Sequence, residues 1–207
     1  MYIERALEPL VRRYSENFKI VAVTGPRQVG KTTMLKHLME EEAESGVDRV
    51  YVTLDNTAIL QTAKEDPALF LQRYRPPVLI DEIQKAPELL PYIKMIVDER
   101  DDCGSVWITG SQPLHLMKAV SESLAGRVGI VEMLGLSHSE VAGTPSEPYL
   151  PSADYFMRRV DMAKPFGVSE AYRQICAGSL PGIRALPDDL RAGGYESYLD
   201  TVSYTHL

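Results

Sequence analysis

The chain has 207 residues, 44% of them hydrophobic and 25% charged, which is the composition of a soluble globular protein with a substantial core. Its net charge of −7 argues against broad binding of nucleic acid through phosphate contacts, although it leaves room for a local basic patch. The start of the chain is charged and no stretch reaches the ~18 apolar residues that a membrane span needs, so we expect no membrane partner. Cys103 and Cys176 lack the spacing of a zinc site or disulfide framework, which favours free thiols and a cytoplasmic location.

From residue 3 to residue 133 the sequence alternates between predicted helices and predicted strands. An amphipathic helix over residues 3–15 comes first, with Arg5, Arg12 and Arg13 expected mostly on its solvent side. The predicted strands cover residues 18–24, 49–55, 78–82, 105–111 and 128–133, and helices are predicted over residues 31–44, 57–75, 88–98 and 114–124. This alternation predicts an α/β fold with an open, mostly parallel five-stranded sheet flanked by helices, in which ligands bind at the carboxyl ends of the strands.

The first motif lies between the first predicted strand and the helix that follows it. Residues 25–33, Gly-Pro-Arg-Gln-Val-Gly-Lys-Thr-Thr, match the phosphate-binding loop pattern of glycine, four residues, glycine, lysine and serine or threonine. Glycines allow the backbone to curl until several N–H groups point at one anion, and the helix directs its positive dipole end at the same place. Lys31 adds a positive charge for the β- and γ-phosphates, and Thr32 offers a hydroxyl to Mg²⁺. The candidate nucleotide-binding residues are Gly25, Pro26, Arg27, Gln28, Val29, Gly30, Lys31, Thr32 and Thr33.

Two carboxylates end the apolar strand predicted over residues 78–82. In a P-loop nucleotidase an aspartate at this place holds Mg²⁺ beside the loop threonine, so Asp81 and Thr32 are the candidate metal residues. A glutamate directly after it polarises the attacking water as a general base, which makes Glu82 a candidate catalytic residue. An acidic pair alone is compatible with a solvated strand end, but together with the phosphate loop it predicts a nucleotide site.

Further polar side chains are candidates for contact with the γ-phosphate. Thr109 and Ser111 end the strand that we expect between the other two, where a hydroxyl can touch the γ-phosphate or the attacking water; Gln112 is a weaker candidate. The alternative is that these residues cap the helix that begins near Pro113. A guanidinium against the γ-phosphate stabilises transition-state charge, which makes Arg127 a candidate catalytic residue, with a surface ion pair as the alternative.

Four sequence segments together are more specific than any single motif. They are residues 25–33, Leu-Ile-Asp-Glu-Ile-Gln at 79–84, Ile-Thr-Gly-Ser at 108–111 and Ser-Leu-Ala-Gly-Arg at 123–127. Together they resemble the prokaryotic AAA-type ATPases, which join an AAA ATPase domain to a C-terminal domain of unknown function.

The resemblance covers residues 1–143 and implies a P-loop fold with an additional strand, ATP as the nucleotide and Mg²⁺ as its metal. It implies that Lys31 and Thr32 bind phosphate and Mg²⁺, and that Asp81 and Glu82 serve Mg²⁺ binding and catalysis. It also assigns Arg127 to the family's Gly-Arg motif. Whether this arginine senses nucleotide in its own chain or acts on a neighbour stays open, as does the presence of a homo-oligomer.

Residues 144–207 differ in composition from the preceding domain. Several prolines indicate a linker, and short helices are predicted over residues 169–176 and 187–199. Residues 177–182 and 195–200 resemble the beginning of the family's second domain, through which we expect an unknown protein or DNA partner to bind. Members of the family continue further and residues 202–207 do not resemble them. We therefore expect a C-terminally truncated chain whose last residues derive from a sequencing adaptor.

The leading hypothesis is an ATPase that uses hydrolysis to switch or remodel a partner. A small-molecule kinase also begins with such a loop, but it needs an acceptor site and an arginine-rich lid, and the Asp81-Glu82 pair favours water as the acceptor. A GTPase is disfavoured because the sequence has no Asn-Lys-x-Asp motif. A nucleotide-gated module is the alternative of a different class, with the ATPase half controlling a DNA- or protein-binding half and little intrinsic turnover.

Overall fold

The computed structural model describes residues 2–111, 123–144, 150–162 and 166–203. The chain divides into two compact units, residues 1–135 and 136–207. Gln112 and nearly all of the helix predicted over residues 114–124 lie outside the described residues. The domain boundary that we expect after residue 143 stays a prediction.

The first unit alternates strands and helices. Its strands β1 to β5 are Ile20–Thr24, Val50–Thr53, Val78–Asp81, Val106–Gly110 and Val128–Glu132. The helices α1 to α5 are Glu8–Asn17, Lys31–Glu44, Thr57–Glu65, Pro67–Arg73 and Leu89–Asp98, and a short 3-10 helix, Ile83–Lys85, follows β3.

The strands form one parallel sheet with the order β2-β3-β4-β1-β5. β4 therefore lies between β1, which leads into the phosphate loop, and β3, which ends in the two carboxylates. In the register of the sheet, Thr24 pairs with Gly110 and Thr53 pairs with Asp81, so the carboxyl ends of these strands lie on the same side of the sheet. The predicted α/β P-loop fold with an additional strand is confirmed.

Burial follows the position of each strand in the sheet. Every residue of the inner strands β1, β3 and β4 is buried, whereas the edge strands β2 and β5 are only partly buried. An unbroken apolar run is what a parallel strand needs when both of its faces are covered. α5 adds four buried residues, Leu89, Leu90, Ile93 and Val97. The core therefore centres on the strands that carry the candidate site.

The helix predicted over residues 57–75 is two helices, which corrects the sequence interpretation. Pro67 has no N–H to donate to the preceding turn, so the first helix ends there. The Asp66 carboxylate accepts a hydrogen bond from the Leu69 N–H at 2.9 Å and caps α4. The prediction that this region is helical is confirmed, but the prediction of one continuous helix is wrong.

The N-terminal helix begins at Glu8, so Arg5 lies outside it. Arg5 is only 5% exposed, and its expected position on a solvent-facing side is wrong. Its guanidinium donates to the Val29 carbonyl of the phosphate loop at 2.7 Å and to the Leu134 carbonyl at 2.9 Å. The Arg5 N–H donates to the Glu8 carboxylate at 2.7 Å. Arg5 thus links the phosphate loop to the segment that follows β5.

The second unit is helical in its described residues. Its helices α6 to α10 are His138–Ala142, Ala153–Met162, Val168–Ala177, Pro181–Arg184 and Arg191–Ser203, with a 3-10 helix at Asp188–Leu190. The helix predicted over residues 169–176 corresponds to α8, and the one over 187–199 corresponds to the 3-10 helix and α10. In the described part of the chain, no helix combines the length and the apolar character that crossing a membrane requires.

We expect Arg5→Ala to lower the free energy of unfolding by about 2–4 kcal/mol, because the buried Val29 carbonyl and the partly buried Leu134 carbonyl lose a charged donor. Thermal and denaturant unfolding of the whole chain measure the change. Arg13→Ala is the matched control, since Arg13 is exposed on α1 and its loss should change stability little. Equal stabilities of the two variants would contradict the linking role of Arg5.

Candidate functional site

The phosphate loop joins β1 to α2, and its glycines have left-handed backbones. Gly25 has a φ of +136°, and a Cβ at this position would lie 2.0 Å from the Met133 carbonyl oxygen, so only glycine fits. Gly30 has a φ of +98° and turns the chain into α2, a helix of 14 residues. The N–H groups of the first helical turn have no partner within the helix, which suits them to bind an anion.

The side chains of the loop differ in exposure. Pro26, Arg27, Gln28 and Thr33 are exposed, whereas Val29 is 1% exposed and its carbonyl accepts the hydrogen bond from Arg5. Val29 therefore anchors the loop to the protein, while the exposed residues beside it remain accessible to a ligand.

Lys31 lies folded over the loop and is 6% exposed. Its Nζ donates to the Gly25 carbonyl at 2.9 Å and to the Pro26 carbonyl at 2.7 Å. Burial lowers the pKa of Lys31 from its ordinary value, and the negative charges of Glu82 and Asp81 oppose this effect. An anion bound in the loop would offset the desolvation of the ammonium group.

Asp81 ends β3 and is 6% exposed. Its Oδ1 accepts hydrogen bonds from the Thr32 hydroxyl at 2.8 Å and from the Thr109 hydroxyl. Its Oδ2 accepts a hydrogen bond from the Tyr51 hydroxyl at 3.1 Å. The structure thus brings together Thr32, Asp81 and Thr109, which the sequence predicts from three separate segments.

This set of oxygen atoms fits Mg²⁺. Thr32 directs its O–H toward Asp81, so the lone pairs of the hydroxyl remain available to a cation. Within the described ranges there is no group of three or more His, Cys, Asp or Glu residues suited to hold a metal. Thr32 and Asp81 supply two oxygen atoms, which fits a cation such as Mg²⁺ that takes its other ligands from water and phosphates.

Glu82 has a left-handed backbone, with φ +61° and ψ +44°, which is uncommon for a residue other than glycine. Its N–H donates to the Thr109 hydroxyl at 3.1 Å. Its carboxylate accepts hydrogen bonds from the Gln84 amide and from the Ser111 hydroxyl, the latter at 3.2 Å. The hydroxyls of Thr109 and Ser111, at the end of β4, thus hold Asp81 and Glu82 in place. Thr109, which bonds both acidic residues, is fully buried.

Arg127 lies at the amino ends of the strands, opposite the carboxyl ends that carry the phosphate loop and the two carboxylates. Its carbonyl accepts a hydrogen bond from the N–H of Ile20, the first residue of β1, at 3.0 Å. Its guanidinium forms an ion pair with Asp98 at the end of α5, where one of the hydrogen bonds is 2.9 Å long. At ~3.3 Å per residue, β1 separates these amino ends from the phosphate loop by roughly 16 Å. The structure does not bring Arg127 to the loop of its own chain, so its catalytic role stays a prediction that needs a second chain.

The sequence interpretation missed three residues that contact this region: Arg5, Tyr51 and Gln84. Gln84 stands in the segment at 79–84, but only the 3-10 helix after β3 turns its amide back to Glu82. Tyr51 stands two residues before Thr53, which pairs with Asp81 in the sheet. Because alternate residues share one face of a strand, the pairing of β2 with β3 is the signal that would have found it.

A family model described as an AAA domain (AAA_14) matches residues 17–142 of the chain. The chain belongs to this AAA family. The uncharacterized protein Mb2031c of Mycobacterium bovis (strain ATCC BAA-935 / AF2122/97) is 33% identical to it over 137 residues, and so is the uncharacterized protein Rv2008c of Mycobacterium tuberculosis (strain ATCC 25618 / H37Rv). The match covers 66% of this AAA chain but only 30% of each relative.

Solved structures of other proteins also resemble the AAA chain. AMPPCP-bound DnaA from Aquifex aeolicus has a TM-score of 0.53 and 14% identity, over 87% of this chain and 59% of that one. The P-loop NTPase domain of the sigma-54 transport activator from E. coli has a TM-score of 0.44 and 13% identity, over 65% of this chain and 100% of that one. At such identity the likeness to DnaA shows the fold alone, while membership of the AAA family supports nucleotide binding.

We expect the affinity for nucleotide to fall as the pH rises through the lowered pKa of Lys31. A bound triphosphate favours the ammonium, whereas burial in the free protein favours the neutral amine, so binding takes up protons in this pH range. Calorimetry in two buffers of different ionisation enthalpy measures this uptake.

Lys64→Gln is the control for that experiment, because Lys64 is an exposed lysine of α3. The variant should show the same proton uptake as the wild type. An affinity that is constant across the alkaline range, without proton uptake, would contradict the role of Lys31.

Proposed function

We propose that this AAA protein binds Mg·ATP and hydrolyses it with water. The observation that carries the proposal is the contact of the Thr32 and Thr109 hydroxyls with one oxygen of Asp81, directly before Glu82. These residues lie at the carboxyl edge of the sheet, beside the phosphate loop, where parallel α/β sheets bind their ligands.

In this proposal the loop N–H groups, the N-terminus of α2 and Lys31 bind the β- and γ-phosphates. Thr32 holds Mg²⁺ through its hydroxyl oxygen, and Asp81 holds it directly or through a bound water. The bound ion neutralises charge on the phosphates. Thr109 donates to Asp81 and accepts from the Glu82 N–H, so its role is to position the acidic pair rather than to touch the γ-phosphate.

Glu82 is the general base in this proposal and takes a proton from the water that attacks the γ-phosphorus. Ser111 and Gln84 donate to Oε2 of its carboxylate and orient it, and the other oxygen, Oε1, accepts the proton of the attacking water. Glu82 is partly exposed, so water has access to it. General-base catalysis of this kind contributes ~10²–10⁴-fold to a rate.

The energy of hydrolysis would switch or remodel a protein or DNA partner. Cys103 and Cys176 are free, exposed thiols, which is compatible with action in the reducing cytoplasm. One observation favours the alternative, a nucleotide-gated binding module with little turnover of its own. Gln84 and Ser111 both donate to Oε2 of Glu82, so they restrain the orientation of the base.

We expect Lys31→Ala to lose nucleotide binding, and Glu82→Gln to bind ATP normally but to hydrolyse it at least ~10²-fold more slowly, because only the base is removed. A fluorescent nucleotide measures binding, and release of inorganic phosphate measures turnover. Glu88→Gln, the same change at an exposed residue before α5, is the control and should keep wild-type turnover.

Turnover of Glu82→Gln at the wild-type rate would show that the general-base assignment is wrong. A wild-type protein that binds ATP without releasing phosphate, alone or with candidate partners, would defeat the ATPase proposal and leave the nucleotide-gated module.

We propose that Arg127 acts on the nucleotide of a neighbouring copy, because in its own chain it lies at the amino ends of the strands, away from the phosphate loop. We expect Arg127→Ala to reduce turnover by ~10³-fold or more while nucleotide binding persists. Mixing Arg127→Ala with Glu82→Gln should restore activity, because one interface then combines an intact arginine with an intact base.

Arg100→Ala is the control for the arginine, since Arg100 is also in an exposed ion pair, with Asp102. This variant should keep full turnover. If the mixture stays as inactive as its two components, the role in a neighbouring chain is excluded.

A further inference from the structure

Tyr51 contacts the candidate metal carboxylate although it belongs to none of the nucleotide-binding motifs. Its hydroxyl donates to Asp81 Oδ2 at 3.1 Å, while Thr32 and Thr109 donate to Oδ1. In the parallel pairing of β2 with β3, Tyr51 lies opposite Leu79, so the phenol reaches along the sheet to the end of β3. The contact depends on the register of the sheet.

A second contact fixes the ring of Tyr51 in this place. The Nζ of Lys36 lies 3.8 Å from the centre of the ring, a cation–π contact. Lys36 follows Thr32 by one turn of α2, and side chains at this spacing lie on the same side of a helix. The helix that carries Thr32 therefore also holds the ring that donates to Asp81.

The hydroxyl of Tyr51 is held as a neutral donor. Burial, together with the negative charge of Asp81 and the hydrogen bond to it, raises the pKa of Tyr51 to about 12. The geometry shows the same role, because the phenol donates its proton to Oδ2 of the carboxylate. A third donor on the second oxygen limits rotation of the carboxylate plane, which two donors on Oδ1 alone do not prevent.

We propose that Tyr51 is a positioning residue for metal binding, which fixes Oδ2 of Asp81 so that the carboxylate meets Mg²⁺ in one orientation. The inference rests on the proposed Mg·ATP site and deepens it. Mg²⁺ demands near-octahedral geometry and keeps several of its waters, so it is sensitive to the orientation of a carboxylate. Residues that orient metal ligands typically contribute ~10–100-fold to metal affinity.

Tyr51→Phe tests the proposal, because it removes the hydroxyl and keeps the ring and its contact with Lys36. The binding of a fluorescent ATP analogue is titrated with Mg²⁺, and is measured separately in EDTA. We expect the Mg²⁺ concentration at half-maximal effect to rise about tenfold or more, and the affinity in EDTA to stay unchanged. Tyr92→Phe is the matched control, since Tyr92 is an exposed tyrosine of α5, and it should leave both quantities unchanged.

Three results would overturn the proposal, and they are distinguishable. A Mg²⁺ shift no larger than that of Tyr92→Phe excludes a positioning role for the hydroxyl. An equal loss of affinity with and without metal, accompanied by a lower melting temperature, shows that Tyr51 serves packing alone. A wild-type protein whose nucleotide binding does not respond to Mg²⁺ overturns the proposed Mg·ATP function itself, and the role of Tyr51 with it.

Discussion

The hydrogen bonds to the Asp81 carboxylate are the interaction on which the rest of the site depends. They join β3, which carries Asp81, to α2 through Thr32, to β4 through Thr109 and to β2 through Tyr51. A buried carboxylate is costly unless it is paired or hydrogen-bonded. Here the hydrogen-bond donors are three neutral hydroxyls, which satisfy the Asp81 oxygens without neutralising the carboxylate. A carboxylate held in this way keeps its attraction for a cation.

The strand order explains why these donors meet at one place. Because β4 lies between β1 and β3, Thr109 stands between the strand that leads into the phosphate loop and the strand that ends in Asp81. In the same parallel arrangement, the residues that precede each strand lie at the amino ends of the strands, away from the phosphate loop. Arg127 directly precedes β5 and therefore lies there. Its ion pair with Asp98 is exposed, and such pairs stabilise a fold only weakly. The guanidinium is therefore available for exchange with another anion.

The sequence predicts the residues that lie at strand ends within a motif, and it misses those whose contacts depend on packing. The phosphate loop, Asp81 and the position of β4 follow from local patterns and from the rules of parallel sheets. Arg5 does not, because its burial depends on where α1 begins. Tyr51 needs the register between two strands, which no local pattern supplies. The break at Pro67 is different, since a proline within a predicted helix is itself a local signal that the helix ends.

The end of β4 links the two acidic residues to the phosphate loop. Thr24, the last residue of β1, pairs with Gly110, and the neighbours of Gly110 in the chain are Thr109 and Ser111. Thr109 bonds both Asp81 and the backbone of Glu82, while Ser111 bonds the Glu82 carboxylate. The left-handed backbone of Glu82 is a conformation that costs ~1–3 kcal/mol, so it persists because such surrounding contacts maintain it. A displacement of this strand end changes the contacts of both carboxylates at once, whereas a displacement of Gln84 changes those of Glu82 alone.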